Sequence, residues 1–282
     1  MAVRIVTDGS ADLPQAIMEE FDIIQVPLFV CFKHEQFPST MDRQVFYEKM
    51  KTEKELPKTS SPSPHAFYEQ FQTVDEADDI ICISLSSALS ATYQHAVMGK
   101  QLVEEESSGR ERIHVIDSKN ASLGLGLLVY QAARLAKQGS SLQELLQYIG
   151  KSIPEVKNYF VLDTLMNVVK GGRLDHVRGA IASVLNIKLI MKASAEGSLE
   201  VVEKVRGSQN AILKMIDRIG ETVKNAEKTV LGIAHSNCEQ KAKEVMRTIL
   251  SKYPFKDIIF SEMGPVIGTY AGEGAILVAC MD

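Results

Sequence analysis

"DDIICISLSSALSATYQHAVMGKQLVEEES", residues 78–107, decides how this chain is built. Ile80, Ile81, Cys82 and Ile83 are apolar at consecutive positions, so neither face of this strand is marked for solvent. A run of that kind, bounded by acids on one side and hydroxyls on the other, reads as a buried strand. The hydroxyl-rich "SSALS" then opens a helix. The same strand-to-helix unit recurs in "RIHVIDS" (112–118) followed by "KNASLGLGLLVYQAARLAKQG" (119–139), and in "VRIVTD" (3–8) followed by "GSADLPQAIMEEF" (9–21). Apolar strands alternating with helices argue for a parallel sheet covered on both faces.

Working outward, Asp12 is the expected N-cap of the first helix, with Pro14 near its first turn. "DIIQVPLFVCF" (22–32) is strand-like but broken by Pro27. "MDRQVFYEKMKTE" (41–53) and "HAFYEQFQTV" (65–74) are helical, and between them "KTSSPSP" (58–64) reads as a polar loop with Ser63-Pro64 as a helix start. "SSLQELLQYIGKSIPEV" (140–156) is a helix capped by Ser140 or Ser141.

The pattern then changes. "NYFVLDTL" (158–165) is a strand, and "MNVVKGGRLDHVRGAIASVL" (166–185) contains a Gly-Gly-Arg turn and a helix. "NIKLIMKASAEGSLEVVEKVR" (186–206) is a hairpin turning at Glu196-Gly197. Two amphipathic helices flank the strand "TVLGIAHS" (229–236), and "KDIIFSEMG" (256–264) and "GAILVACM" (274–281) are strands. A hairpin beside βαβ elements implies a mixed sheet. A boundary near residues 152–158 is expected, giving domains 1–155 and 156–282.

The composition narrows the function. The 282 residues are 45% hydrophobic and 24% charged, with 31 basic and 36 acidic side chains, a net charge of -5. That is an ordinary globular composition. There is no long basic run, which argues against nucleic acid as a partner. The start lacks the apolar core of a signal peptide, and no apolar run spans a bilayer, so a cytoplasmic protein is expected. The four cysteines form no C-x-x-C pair and the six histidines no ligand spacing, so no metal site is expected.

Familiar enzyme motifs are missing. Gly124 and Gly126 form a G-x-G, but Val129 holds the third glycine position. There is no phosphate-binding G-x-x-x-x-G-K-[ST] and no G-x-S-x-G. What remains are hydroxyls and acids at strand ends: Thr7 and Asp8, then Ser84, Ser86, Ser87, Ser90 and Thr92, then Asp117 and Ser118. Ligands of open parallel sheets sit beyond the carboxyl ends of the strands. Hydroxyls and helix N-termini there can hold an anionic oxygen without a formal positive charge. Taken singly, each reads equally well as a helix cap or an Asx turn.

Seven stretches taken in order carry a resemblance: "VTDGSADLP", "KTSSPSP", "SLSSALSATYQ", "IDSKNASLGLGLLV", "VLDTLMNVVKGGRL", "EKVRGSQNAI" and "GPVIGTYAGEGAI". Together they resemble the DegV family, bacterial fatty-acid-binding proteins that serve a fatty acid kinase in phospholipid metabolism. The resemblance implies an α/β fold: an N-terminal three-layer α/β/α domain with a mainly parallel sheet, a C-terminal α/β domain with a mixed sheet, and a lipid site between them. It implies a carrier, not a catalyst, with no cofactor. The ligand would be a long-chain fatty acid such as palmitate, oleate or stearate, and the partner a kinase subunit. Transient contact with a membrane surface fits the same role. Thr59, Ser60 and Ser90 are the implied carboxylate ligands, with Tyr270 standing where the family usually has histidine. Ala91 replaces the usual glycine, and "GSQN" replaces a basic stretch after Arg206. Arg173 and Arg206 are the implied contacts for kinase docking or for the transferred phosphoryl group. Leu28, Phe29, Leu165, Met166, Met191, Val266 and Ile267 lie near the motifs and are candidates to line the acyl chain. Two rivals remain open at this stage: a hydrolase or transferase with Ser90 as nucleophile, and a carrier of another amphiphilic lipid.

Overall fold

The computed structural model describes residues 2–106, 110–174 and 186–281. It is an α/β protein. In the first sheet, β1 (Val3–Asp8), β2 (Ile24–Val26), β6 (Asp79–Ser84) and β7 (Ile113–Asp117) lie in the order β2-β1-β6-β7, all parallel. Side chains alternate across a strand. Ile5, Ile81 and Ile83 therefore face α1 (Gln15–Glu20) and α5 (Leu123–Lys137). Val6, Ile80 and Cys82 face α3 (Pro64–Gln72) and α4 (Thr92–Glu106). That is the three-layer arrangement expected from the uninterrupted apolar strands.

The second sheet is mixed. It is built from β8 (Val156–Val161), β9 (Ile187–Ala193), β10 (Leu199–Arg206), β11 (Val230–His235), β12 (Asp257–Glu262) and β13 (Ile276–Met281), in the order β10-β9-β8-β13-β11-β12. Only β11 and β12 pair in parallel; the other neighbours are antiparallel. The helices α8 (Ser208–Thr222) and α9 (Glu239–Lys252) cover one face. The other face packs on α5, the helix that also covers the first sheet. From Leu123 to Val129 every residue of α5 is buried. A helix apolar all round must be enclosed on all sides, and "LGLGLLV" meets that requirement by lying between two sheets.

A third, small sheet joins β3 (Phe29–Phe32), β4 (Glu35–Pro38) and β5 (Lys58–Ser60) in the order β4-β3-β5. Pro27 separates β2 from β3, as its position implied. The start of "KTSSPSP" is thus a short strand, not the loop expected, because its backbone pairs with Phe29, Val30 and Cys31. Ser63 does cap α3, accepting a bond from Ala66 N. Ser141 caps α6 (Leu142–Ser152) in a capping box with Glu144. The hairpin of β9 and β10 turns at Gly197, whose φ of +87° suits glycine. α2 (Arg43–Thr52) and α7 (Met166–Lys170) are helical, the latter followed by the Gly-Gly-Arg turn. The rest of the helix expected within 166–185 lies outside the described residues. Sequence reading missed α10 (Pro265–Ala271) between the last two strands.

Asp12 departs from its expected role. Pro14 occupies the N-cap position of α1, and Asp12, at φ +53°, turns its side chain elsewhere. Its carboxylate accepts bonds from Ser122 Oγ (2.6 Å), at the entry to α5, and from Gly264 N (2.8 Å), at the entry to α10. One buried acid thus fixes two helix starts. Burial pushes its carboxyl up to about 6 from the usual 3.8, against the opposing bonds from Ser122 and Gly264.

With its folded pKa raised, Asp12 binds its proton more tightly in the folded state. Its contribution is present in full below about pH 4 and is lost as pH rises through about 6, amounting to about 3 kcal/mol. Urea denaturation of the wild type should show stability falling between pH 4.5 and 7, with a shallower fall in Asp12→Asn; identical slopes would refute the assignment. At Gly99 an added Cβ would meet Pro64 O at 2.7 Å and Phe67 Cβ at 2.6 Å, so α3 and α4 touch there through glycine. Gly99→Val should lower unfolding stability by roughly 1–3 kcal/mol, read by the same denaturation curves.

Candidate ligand cavity

The carboxyl ends of β1, β6 and β7 carry many polar groups, and most of them are spent on holding loops. Asp8 accepts from Ser10 N and Ser10 Oγ through one oxygen. Its other oxygen accepts from Ser84 Oγ and Leu85 N. Burial pushes this carboxyl up, and the bonds from Leu85, Ser10 and Ser84 oppose that. Thr7 Oγ1 donates to Ile83 O, and Ser86 Oγ to Gly197 O (2.8 Å) on the hairpin turn. Ser87 bonds Asp117, which also pairs with Lys119. Ser118 Oγ donates to Asn120 O. Of the hydroxyls after β6, Ser90 alone lines the open space beyond these strand ends.

That space is a cavity of about 110 Å³, with a wall that is mostly aliphatic. One wall runs along β8 and the residue just past it: Asn158 and Phe160, two apart in the strand, share a face, and Leu162 follows its end. Leu277, opposite Phe160 in β13, adjoins them. Ala193 and Leu199 come from the hairpin, Val168 from α7, and Val266 and Ile267 from α10. Leu28, Leu85 and Leu89 close the side that belongs to the first half of the chain.

A polar end is built from four elements. Thr59 comes from β5, Ser90 from the loop entering α4, Arg173 from the turn after α7, and Tyr270 from α10. The hydroxyls of Thr59 and Tyr270 share a hydrogen bond of 2.5 Å. Ser90 Oγ lies 3.1 Å from Ser61 Oγ and 2.8 Å from Thr92 Oγ1. The Arg173 guanidinium stacks on the Tyr270 ring, 4.6 Å from its centroid, and donates to Gly171 O and Leu89 O. Among the described residues lining the cavity there is no carboxylate, imidazole, thiol or amine; Arg173 is the one charged group. Such a site can donate several hydrogen bonds to an anionic oxygen while presenting a single cation from the side.

The other candidates fall elsewhere, each for a local reason. Ser60 follows Thr59 in β5, so it faces away and is exposed. Phe29 likewise follows the lining Leu28 and points to the opposite side. Met166 is 55% exposed at the start of α7; neither it nor Leu165 lines the cavity, which Val168 reaches instead. Met191 is fully buried in the core, and Ala193, two residues on, takes its place at the cavity. Arg206 is exposed at the end of β10, seven residues and roughly 23 Å along the strand from the lining Leu199. Sequence reading passed over Ser61 and the β8 face. For the β8 face, alternation along the strand was the available signal, Asn158 with Phe160; Ser61 lies past the end of β5 and had no such signal.

A Ser90 nucleophile would need a base, and the two histidines His95 and His235 each hold another partner. His95 Nδ1 is 2.7 Å from Pro62 O. His235, with burial pushing its pKa down, accepts from Cys238 N at the start of α9.

Comparison with known proteins agrees with this architecture. A family model described as "Uncharacterised protein, DegV family" matches residues 2–281. A DegV domain-containing protein of Clostridium acetobutylicum is 35% identical over 276 residues, covering 97% of this chain and 96% of that one. Among solved structures, a DegV family protein of Ruminococcus gnavus, refined with vaccenic acid, superposes with a TM-score of 0.91 at 31% identity, covering 99% of each chain. DegV of Bacillus subtilis, described as a fatty acid binding protein, superposes with a TM-score of 0.88 at 28% identity, covering 100% of this chain and 99% of that one. With its sequence matched nearly end to end and its fold superposing closely on solved members, the chain belongs to the DegV family.

Proposed function

We propose that this protein binds a long-chain fatty acid, with the tail in the cavity and the carboxylate at Thr59, Ser90 and Tyr270, and presents that carboxylate to a separate fatty acid kinase. One observation carries the reading: an aliphatic cavity ends in three neutral hydroxyl donors backed by Arg173. A relative 31% identical was refined with vaccenic acid, and two proteins of the same fold are described as loaded with heptadecanoic acid and as stearic acid-binding.

The energetics support it. Removing the 14–16 methylenes of a C16–C18 tail from water is worth on the order of 11–13 kcal/mol. Association and ordering take back several kcal/mol, which leaves affinity tighter than micromolar. The aliphatic walls have to move apart for a tail of that length, and Leu, Ile and Val side chains on α10, α7 and the hairpin are placed to do so. The carboxylate must not be left unpaired, and the hydroxyl cluster meets that need. Neutral donors also leave a carboxylate oxygen open to phosphorylation, which a bidentate arginine clamp would obstruct. Arg173, beside the head group, is suited to contact the transferred phosphoryl group. Arg206, exposed and remote from the cavity, is suited only to docking the kinase.

In this reading the protein is a cytoplasmic carrier that meets the membrane surface transiently to take up its ligand. No helix among the described residues is long and apolar enough to cross a membrane. The chain divides at 155/156 into two domains, each with its own sheet, and the lipid lies between them. Hydrolysis by Ser90 is disfavoured because its hydroxyl partners are Ser61 and Thr92, neither of which is a base.

Native mass spectrometry of freshly purified protein should detect a bound C16–C18 acid. Titration with palmitate or oleate should show that Thr59→Ala/Ser90→Ala weakens binding by at least about tenfold. With a fatty acid kinase and ATP, the loaded wild type should yield acyl phosphate, trapped as a hydroxamate. A protein that carries no lipid and binds neither acid would overturn the reading.

A further inference from the structure

Ser61 sits beside the head-group end of the cavity without lining it. β5 ends at Ser60, and Ser61 is the first residue beyond it. Its surroundings fix its position. Pro62 follows, and the Pro62 carbonyl is held by His95 Nδ1 at 2.7 Å, while Ser63 caps α3. Ser61 Oγ is thereby placed 3.1 Å from Ser90 Oγ.

Ser90 is the middle of a row of three hydroxyls, with Ser61 on one side and Thr92 (2.8 Å) on the other. It also accepts from Thr92 N at 3.3 Å. A hydroxyl has one proton and two lone pairs. When Ser61 donates to Ser90 from one side, and Thr92 donates from the other through its hydroxyl and its more distant N–H together, both lone pairs of Ser90 are used. The Ser90 proton then has one direction left, the cavity that Ser90 lines. Donation into Ser90 also polarises its O–H bond and strengthens the bond it gives.

We propose that Ser61 is a positioning residue for the head group: by donating to Ser90 Oγ it aims the Ser90 proton at a ligand oxygen that accepts only. A carboxylate presents only such oxygens, and its charge strengthens the bond it accepts, so Ser61 makes the site prefer an ionised acid to a fatty alcohol of the same length. This inference rests on the proposed fatty-acid reading.

Ser61→Thr and Ser61→Val are nearly equal in shape, and only the first keeps the hydroxyl, so effects on folding cancel between them. Affinities for palmitate and for hexadecanol are measured on the full-length wild type and both variants. The expected result is that Ser61→Val weakens palmitate about fivefold relative to Ser61→Thr, with hexadecanol changed less than twofold. Equal weakening of both ligands, unchanged palmitate binding in Ser61→Val, or equal loss in the two variants would each overturn the role of Ser61. A wild type that fails to bind palmitate would overturn the fatty-acid reading itself.

Discussion

The helix α5 has no apolar face to spare for water, and the architecture is arranged around that constraint. Every residue from Leu123 to Val129 is buried, including Gly124 and Gly126. At Gly126 an added Cβ would meet Ala11 O at 2.5 Å, and at Gly124 it would meet Asn120 and Asn158, so both neighbours approach through glycine. A parallel sheet covers one side of the helix and the mixed sheet the other, and one continuous apolar core runs through all three. The G-x-G of Gly124 and Gly126, which lacks the third glycine of a dinucleotide loop, is a packing device in this setting.

Enclosing a helix between two sheets leaves polar loop ends to be satisfied at the seam. Asp12 bonds the starts of α5 and α10. Asn120 and Asn158 pair across the seam, and Asn158 also accepts from Ala193 N, extending the sheet through a side chain. Tyr47 donates to Met263 O, and Ser86 to Gly197 O. These contacts join residues far apart in the chain and ring the cavity. They account for why a gap persists there: the seam is held by hydrogen bonds at its rim, so its apolar walls need not close on each other.

Much of this was legible in the sequence. Uninterrupted apolar strands gave the buried parallel sheet, Glu196-Gly197 gave the hairpin, and Ser63-Pro64 and Ser141 gave helix starts. Short elements were not legible. β5 was hidden in a Ser- and Pro-rich stretch because its strand character comes from pairing with β3, not from its own residues. α10 was hidden because "PVIGTYA" has only about two turns and glycine within it. At the site, Thr59, Ser90 and Tyr270 do share the cavity end. Ser60 does not, because alternation in a strand forces neighbours apart. The other strand-end hydroxyls looked equivalent on paper, yet Ser84, Ser86, Ser87 and Ser118 are bound to Asp8, Gly197, Asp117 and Asn120.

By itself the sequence determined the layering, since the period and length of apolar runs are local properties that fix which faces must be buried. It also determined the chemistry on offer at the strand ends, many hydroxyls beside the two acids Asp8 and Asp117. Only the tertiary structure decided which hydroxyls stay free to meet a ligand. Their partners lie up to 211 residues away, as with Thr59 and Tyr270, and a hydrogen bond across that separation is set by packing of whole elements. The same packing brings Arg173 over the Tyr270 ring and sets Ser61 against Ser90.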